Sequence, residues 1–256
     1  MASPNRVARL AILIDADNAN PARLPQLLAE IAKLGNASVR RAYGNWTSGH
    51  LSGWKSGLLE HSITPIQQFN YTTGKNATDS ALIIDAMDLM YAGNLDGLCI
   101  VSSDSDFTRL AARIREQGLT VYGFGEEKTP RAFVAACDKF VYTENFDVDE
   151  AAAGADADAG DGKAGRKPAA AKARPKRDRK LDGLLREAVD AASDDSGWAH
   201  LGSVGNNLVR LASDFDPRSW GFRKLKDLVA AHPAYLVEDR TSPDGKTSNI
   251  YIRPKK

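Results

Sequence analysis

Cysteine is scarce in this 256-residue chain: there are two, Cys99 and Cys137, far apart and each embedded in apolar sequence. That excludes a disulfide framework and a cysteine-ligated zinc site, and fits small buried hydrophobes in a reducing compartment. The four histidines are scattered and form no H-x-x-x-H pair. No apolar run approaches the roughly 20 residues a membrane span needs. The N-terminus has no apolar stretch behind positive charge, which argues against a signal peptide. A net charge of +1 provides no global basic field. The expectation is a cytoplasmic protein without a membrane partner, long enough for one large domain or two ordinary ones. Its oligomeric state is not legible.

What the chain does have is acid at the ends of apolar runs. Leu10-Ala11-Ile12-Leu13-Ile14 leads into Asp15-Ala16-Asp17-Asn18, and Leu98-Cys99-Ile100-Val101 into Ser102-Ser103-Asp104-Ser105-Asp106-Phe107. Short uninterrupted apolar runs are what strands buried on both faces of a parallel sheet look like. In open α/β sheets the binding crevice lies beyond the carboxyl ends of the strands, at the topological switch point. Both acidic clusters belong to that edge. Crowded carboxylates repel unless a cation neutralises them, and hard oxygen ligands suit Mg²⁺ or Mn²⁺. Asp15 alone can bind a metal or merely cap a turn, and Asp106 can cap the helix that begins at Phe107 or add a second oxygen.

The rest of the N-terminal half alternates strand and helix. Helices are expected over 21–34, with Leu24, Leu27, Leu28 and Ile31 on one face, and over 78–91, 107–116 and 129–137. Strands are expected over 37–43, 63–69, 120–124 and 140–142. The pattern predicts a doubly wound parallel sheet. In the helix from Thr78, Asp79 and Asp85 point about 120° apart at 100° per residue, so they do not face one metal. Asp79 is nearer the strand termini. Asp85 needs a partner on so apolar a helix, either near the site or on a neighbouring loop. Lys75 and Asn76 either contact a phosphate or line a loop.

From Glu144 to Asp161 there are seven acids and no base; from Lys163 to Lys180 there are nine bases and one acid. Such a segment, otherwise mostly Ala, Gly and Pro, cannot offset its ordering entropy. It predicts a disordered linker over 148–179, whose basic half is either a nucleic-acid contact or a solubilising tether. Beyond it, helices over 181–192, 203–212 and 222–231 and a hairpin of 235–239 with 249–253 around Ser242-Pro243-Asp244-Gly245 predict a winged-helix module over 180–256. Trp198, Trp220 and Phe222 read as its core.

These motifs resemble families. Leu13-Ile14-Asp15-Ala16-Asp17-Asn18, Lys75-Asn76-Ala77-Thr78-Asp79, Ile84-Asp85-Ala86-Met87-Asp88-Leu89 and Val101-Ser102-Ser103-Asp104-Ser105-Asp106-Phe107 are similar to the NYN domain, a PIN-like nuclease, of the LabA-like type. Tyr122-Gly123-Phe124-Gly125 and Ala135-Ala136-Cys137-Asp138-Lys139-Phe140 extend the match over 1–147. The resemblance implies a PIN-like fold and an Mg²⁺- or Mn²⁺-dependent endoribonuclease. Asp15, Asp79, Asp104 and Asp106 would be its catalytic and metal-binding acids, with Asn18, Lys75, Asn76 and Ser103 near the substrate. Asp17 and Asp88 fall outside that set. Glu126 and Glu127 are the candidates for the acid that many PIN-like sites carry after the fifth strand.

Gly197-Trp198-Ala199-His200-Leu201, Gly205-Asn206-Asn207-Leu208, Asp214-Phe215-Asp216-Pro217-Arg218 and the run Trp220–Leu228 resemble the LOTUS, or OST-HTH, domain. That implies binding of RNA or of a protein partner. Arg218, Arg223, Lys224 and Lys226 are candidate phosphate contacts. Two other readings compete. Asp15-Ala16-Asp17 is also how haloacid-dehalogenase-type phosphatases begin, but Ala19 replaces their Thr or Val and no suitable lysine precedes Asp104. A catalytically silent RNA-binding adaptor is the second alternative.

Overall fold

The computed structural model describes residues 6–47, 49–69, 77–148, 178–241 and 248–255. The expected linker over 148–179 lies almost wholly outside the described residues, as do Lys75, Asn76 and the turn at 242–245.

Six parallel strands form the N-terminal sheet: β1 (Arg9–Asp15), β2 (Asn36–Gly44), β3 (Thr64–Gln67), β4 (Gly97–Val101), β5 (Thr120–Gly125) and β6 (Lys139–Tyr142), in the order β3-β2-β1-β4-β5-β6. The order reverses between β1 and β4, so their carboxyl ends open the crevice where doubly wound sheets bind ligands. Ile14 pairs with Val101 in the register, which sets Asp15 beside the start of the 102–106 loop.

Leu10 to Ile14 are at most 1% exposed because the alternate residues of β1 enter two different cores. Leu10, Ile12 and Ile14 meet α1 (Leu24–Ala32) through Leu24, Leu27 and Ile31, while Ala11 and Leu13 meet α3 (Ala77–Tyr91) through Leu82, Ala86 and Met90. The second layer is completed by α4 (Thr108–Glu116) and α5 (Arg131–Ala136). Each buried Leu or Ile contributes about 1.5–3 kcal/mol, so this strand can hold a desolvated carboxylate at its end without loss of the fold. Cys99 lies in the first layer and Cys137 in the second; burial pushes both thiols up to about 12.

One segment departs from expectation. Residues 49–60 form a 3-10 turn (Gly49–Trp54) and a helix, α2 (Lys55–Glu60), neither of which the sequence pattern announces. Leu51, Trp54 and Leu58 bury one face of it against the α1 layer. Gly57 lies so close to α1 that a Cβ there would sit 2.8 Å from Leu24 Cδ2.

The chain divides into two compact units, the first ending at Phe146 and the second beginning at Asp147. In the second unit α6 (Arg179–Asp190), α7 (Leu201–Leu211) and α8 (Leu225–Ala231) surround a core of Leu185, Val189, Val204, Leu208 and Leu228. A three-stranded antiparallel sheet, β7 (Ala199–His200), β9 (Ser248–Pro254) and β8 (Tyr235–Thr241) in that order, closes it. The two-residue β7 adds a strand to the expected hairpin. Trp220 and Phe222 pack on the core as expected; Trp198 does not, and instead stacks against arginines. No helix among the described residues is long and apolar enough to cross a membrane.

Candidate active site

Two elements deliver acids to one spot. Asp79 lies in the first turn of α3, whose positive end favours it. Asp104 and Asp106 follow β4, where Asp104 Oδ1 caps a 3-10 turn by accepting the amide of Asp106 at 2.9 Å. One carboxylate oxygen from each of Asp79, Asp104 and Asp106 lies within 4.8 Å of the other two. Burial, then the negative charges of Asp15, Asp104, Asp106 and Asp17, push Asp79 up to about 6. Like charges held this close are what a divalent cation would relieve.

Asp15 is not in that close group, though its charge acts on Asp79. The residue is 0% exposed, and its Oδ2 accepts from Ser102 Oγ at 2.7 Å and from Asn18 Nδ2 at 2.8 Å. Its Oδ1 is buried and has no hydrogen-bond partner among the described residues. Burial raises its pKa, and the hydrogen bonds from Ser102 and Asn18 pull the other way. An acceptor left bare in the interior costs free energy unless a cation or water satisfies it.

Ser102 joins the two strand ends, since its oxygen also accepts the amide of Asp104 at 3.1 Å. It is absent from the expected site residues, although a small polar residue directly after an apolar run is the available signal. Asp17 falls outside the expected acids, yet its Oδ1 lies 3.1 Å from His50 Nε2 and its Oδ2 accepts from Thr78 Oγ1 at 3.2 Å. It therefore fixes the N-terminal turn of α3 against the loop after β1.

Other expected residues go elsewhere. Ser103 Oγ accepts the amide of Glu126 at 2.9 Å, tying the β4 loop to the end of β5. Glu126 pairs with Lys128 at 2.7 Å and takes no part in the acidic group. Asp85 is satisfied by Arg41 Nη1 at 2.8 Å and Tyr43 Oη at 2.7 Å, both from β2 rather than from a loop. Lys75 and Asn76 lie outside the described residues.

In the second unit, Arg218 corrects an expectation. It is 7% exposed, and its guanidinium forks onto Asp216, Nε to Oδ1 at 3.0 Å and Nη2 to Oδ2 at 2.6 Å. Asp216 also caps the turn Pro217–Trp220, so the pair is a buried clasp in the fold. Lys226 is drawn to Asp239 at 3.1 Å. Arg223 and Lys224 are exposed, at the start of α8.

Comparison with protein families matches residues 9–144 to the NYN domain and residues 175–247 to the OST-HTH/LOTUS domain. Among solved structures, a protein of unknown function from Vibrio parahaemolyticus is 18% identical, with a TM-score of 0.48, over 56% of this chain and 96% of its own. An uncharacterized protein from Nitrosomonas europaea is 36% identical, with a TM-score of 0.30, over 38% of this chain and 91% of its own. A segment of a Chromobacterium violaceum protein is 30% identical, with a TM-score of 0.25, over 31% and 83%. No curated protein matches the chain.

Proposed function

Since the chain belongs to the NYN-domain family and carries an OST-HTH/LOTUS domain behind its NYN domain, we propose that it is a divalent-metal-dependent endoribonuclease whose C-terminal module binds the RNA it cuts. In this reading residues 1–147 are the nuclease unit, 148–179 a tether and 180–256 the binding module. The observation that carries it is the convergence of Asp79, Asp104 and Asp106, with the charge of Asp15 acting on Asp79 and its Oδ1 buried and bare.

The donor set fits a hard cation, being carboxylate oxygen throughout. Asp79, Asp104 and Asp106 would hold Mg²⁺ or Mn²⁺, with the charge of Asp15 added to theirs. When bound, the cation supplies an activated water and stabilises charge on the scissile phosphate and the leaving oxygen. The chain's own residues do the positioning. Ser102 and Asn18 hold the Asp15 carboxylate by one oxygen, which leaves the other without a hydrogen bond. Asp17, through Thr78, anchors the turn that presents Asp79. The tether would keep bound RNA near the acids by raising its effective concentration.

The test is hydrolysis of end-labelled RNA with Mn²⁺ or Mg²⁺ by the wild type, Asp79→Asn and Asp104→Asn. Cleavage should require metal and fall by orders of magnitude in both variants, while RNA affinity, carried by phosphate contacts, changes little. Tight RNA binding without metal-dependent cleavage under any condition would instead make the chain a silent adaptor.

A further inference from the structure

In the Gly197-Trp198-Ala199-His200 motif only Ala199 enters the core; Trp198 and His200 serve neither the core nor the acidic site, and they lie on a distinctive surface. Register assigns the faces of the second-unit sheet. Ala199, Ile252 and Val237 are cross-strand neighbours, and all three contribute to the core. By alternation His200, Tyr251, Arg253 and Arg240 belong to the opposite face, and Trp198 shares their side. There the side chains form an alternating stack. The guanidinium carbon of Arg253 lies 4.7 Å from the Trp198 ring centroid. Arg240 lies 4.6 Å from the same ring and 4.5 Å from that of Tyr251. The His200 ring meets Tyr251 edge-on at 5.5 Å.

The stack is held in place before any ligand arrives. Asp194 Oδ1 accepts the amides of Ser196 at 2.9 Å and Trp198 at 3.0 Å. Gly197, at φ +78, makes the turn that an L side chain would strain, and it sets the indole over the sheet. Arg240 is oriented by Glu238 at 3.1 Å. All five stacking residues are partly exposed.

We infer that this outer sheet face is a stacking platform for unpaired RNA bases, with Arg240 and Arg253 serving both as stacking planes and as phosphate partners. Flat rings alternating with guanidinium planes are the chemistry that takes splayed bases, since every base offers a π face. A duplex keeps those faces stacked inside and cannot use the platform. The proposal rests on the reading of the chain as an RNA-acting protein, and it moves the contact surface from Arg218, buried on Asp216, to the sheet.

The experiment is fluorescence anisotropy on the full chain, in chelator to prevent cleavage, with a labelled single-stranded RNA and with the same RNA annealed to its complement. Arg240→Ala, Arg253→Ala and Tyr251→Ala should each weaken single-strand binding by about tenfold or more. Tyr251→Phe should bind as the wild type does. Arg240→Lys should behave as Arg240→Ala, because an ammonium has no plane to stack. Thermal melts identify the variants that keep the fold, and the two surface arginine variants keep the test open if Tyr251→Ala does not. Folded arginine variants that bind as tightly as the wild type overturn the platform and leave RNA binding standing. Equal affinity for the duplex also overturns it. No RNA binding by the wild type overturns the platform together with the reading beneath it.

Discussion

Ser102 donates its hydroxyl proton to Asp15 Oδ2 at 2.7 Å, and the same oxygen accepts the Asp104 amide, so one side chain couples the two strand ends that carry the acids. Ser102→Ala removes one of the two donors to the carboxylate and orphans a backbone amide. The expected cost is about 1–3 kcal/mol in urea denaturation. Metal affinity, read by titration calorimetry, should weaken as well, because Asp15 loses a bond that favours its charged form. A variant as stable as the wild type with unaltered metal affinity would show the coupling to be idle.

Asp79 supplies a pH dependence. Its pKa is about 6 in the fold against an ordinary 3.8. Between about pH 4 and 6 the metal-free folded state therefore keeps a proton that the unfolded chain has released. Stability from this group falls as pH rises through that window and is level above it. Asp79→Asn should remove the loss, making the metal-free variant more stable than the wild type at pH 7 by as much as about 3 kcal/mol, and it should also abolish cleavage. The check is the difference in Tm between the two proteins at pH 4 and pH 7; a constant difference refutes it.

The same repulsion predicts the response to metal. Mn²⁺ at a hundred times its Kd should stabilise the wild type by about 2.7 kcal/mol, and a chelator should reverse the gain. Asp104→Asn should lose most of it. Scanning calorimetry of wild type and variant, with and without Mn²⁺, measures this, and equal gains in the two would place the cation elsewhere.

Asp85 should behave oppositely. It accepts both Arg41 and Tyr43 from β2, and Asp85→Ala leaves both donors without it. A loss of about 1–3 kcal/mol in stability is expected, with kcat for RNA cleavage in the folded fraction within about twofold of wild type. A collapse of kcat without destabilisation would put Asp85 in the chemistry.

Deleting residues 180–256 should raise the KM for RNA much more than it lowers kcat, because in the proposed reading the module contributes local concentration and not bond breaking. Steady-state kinetics on one RNA decides it, and matching losses in both parameters count against tethering.

The sheet and its acidic edge are legible in the sequence because their signals are local. Five consecutive apolar residues before Asp15, and four before Ser102, can only be satisfied by burial on both faces, and that places Asp15 and the 102–106 loop at the strand ends. The 120° between Asp79 and Asp85 likewise sends them to different partners. Residues 49–60 escape a sequence reading because Gly49, Gly53 and Gly57 suggest a loop, although Leu51, Trp54 and Leu58 keep a helical spacing. Tertiary packing against α1, not local propensity, makes that segment helical. Arg218 misleads for a related reason. Its charge is visible in the sequence, but the Asp216 fork that buries it depends on a turn only the fold supplies. Ser102 and Asp17 are short polar residues whose importance lies in partners 87 and 61 positions away.

The two thiols have a practical consequence. Cys99 sits in one layer of the α/β sandwich and Cys137 in the other, both essentially un-ionised at neutral pH. A maleimide or disulfide reagent reaches either one only when its own layer opens. The native chain thus carries a pair of built-in clocks, one per layer, and mass spectrometry of pulse-labelled peptides would time the breathing of each side of the sheet separately, with no residue introduced for the purpose.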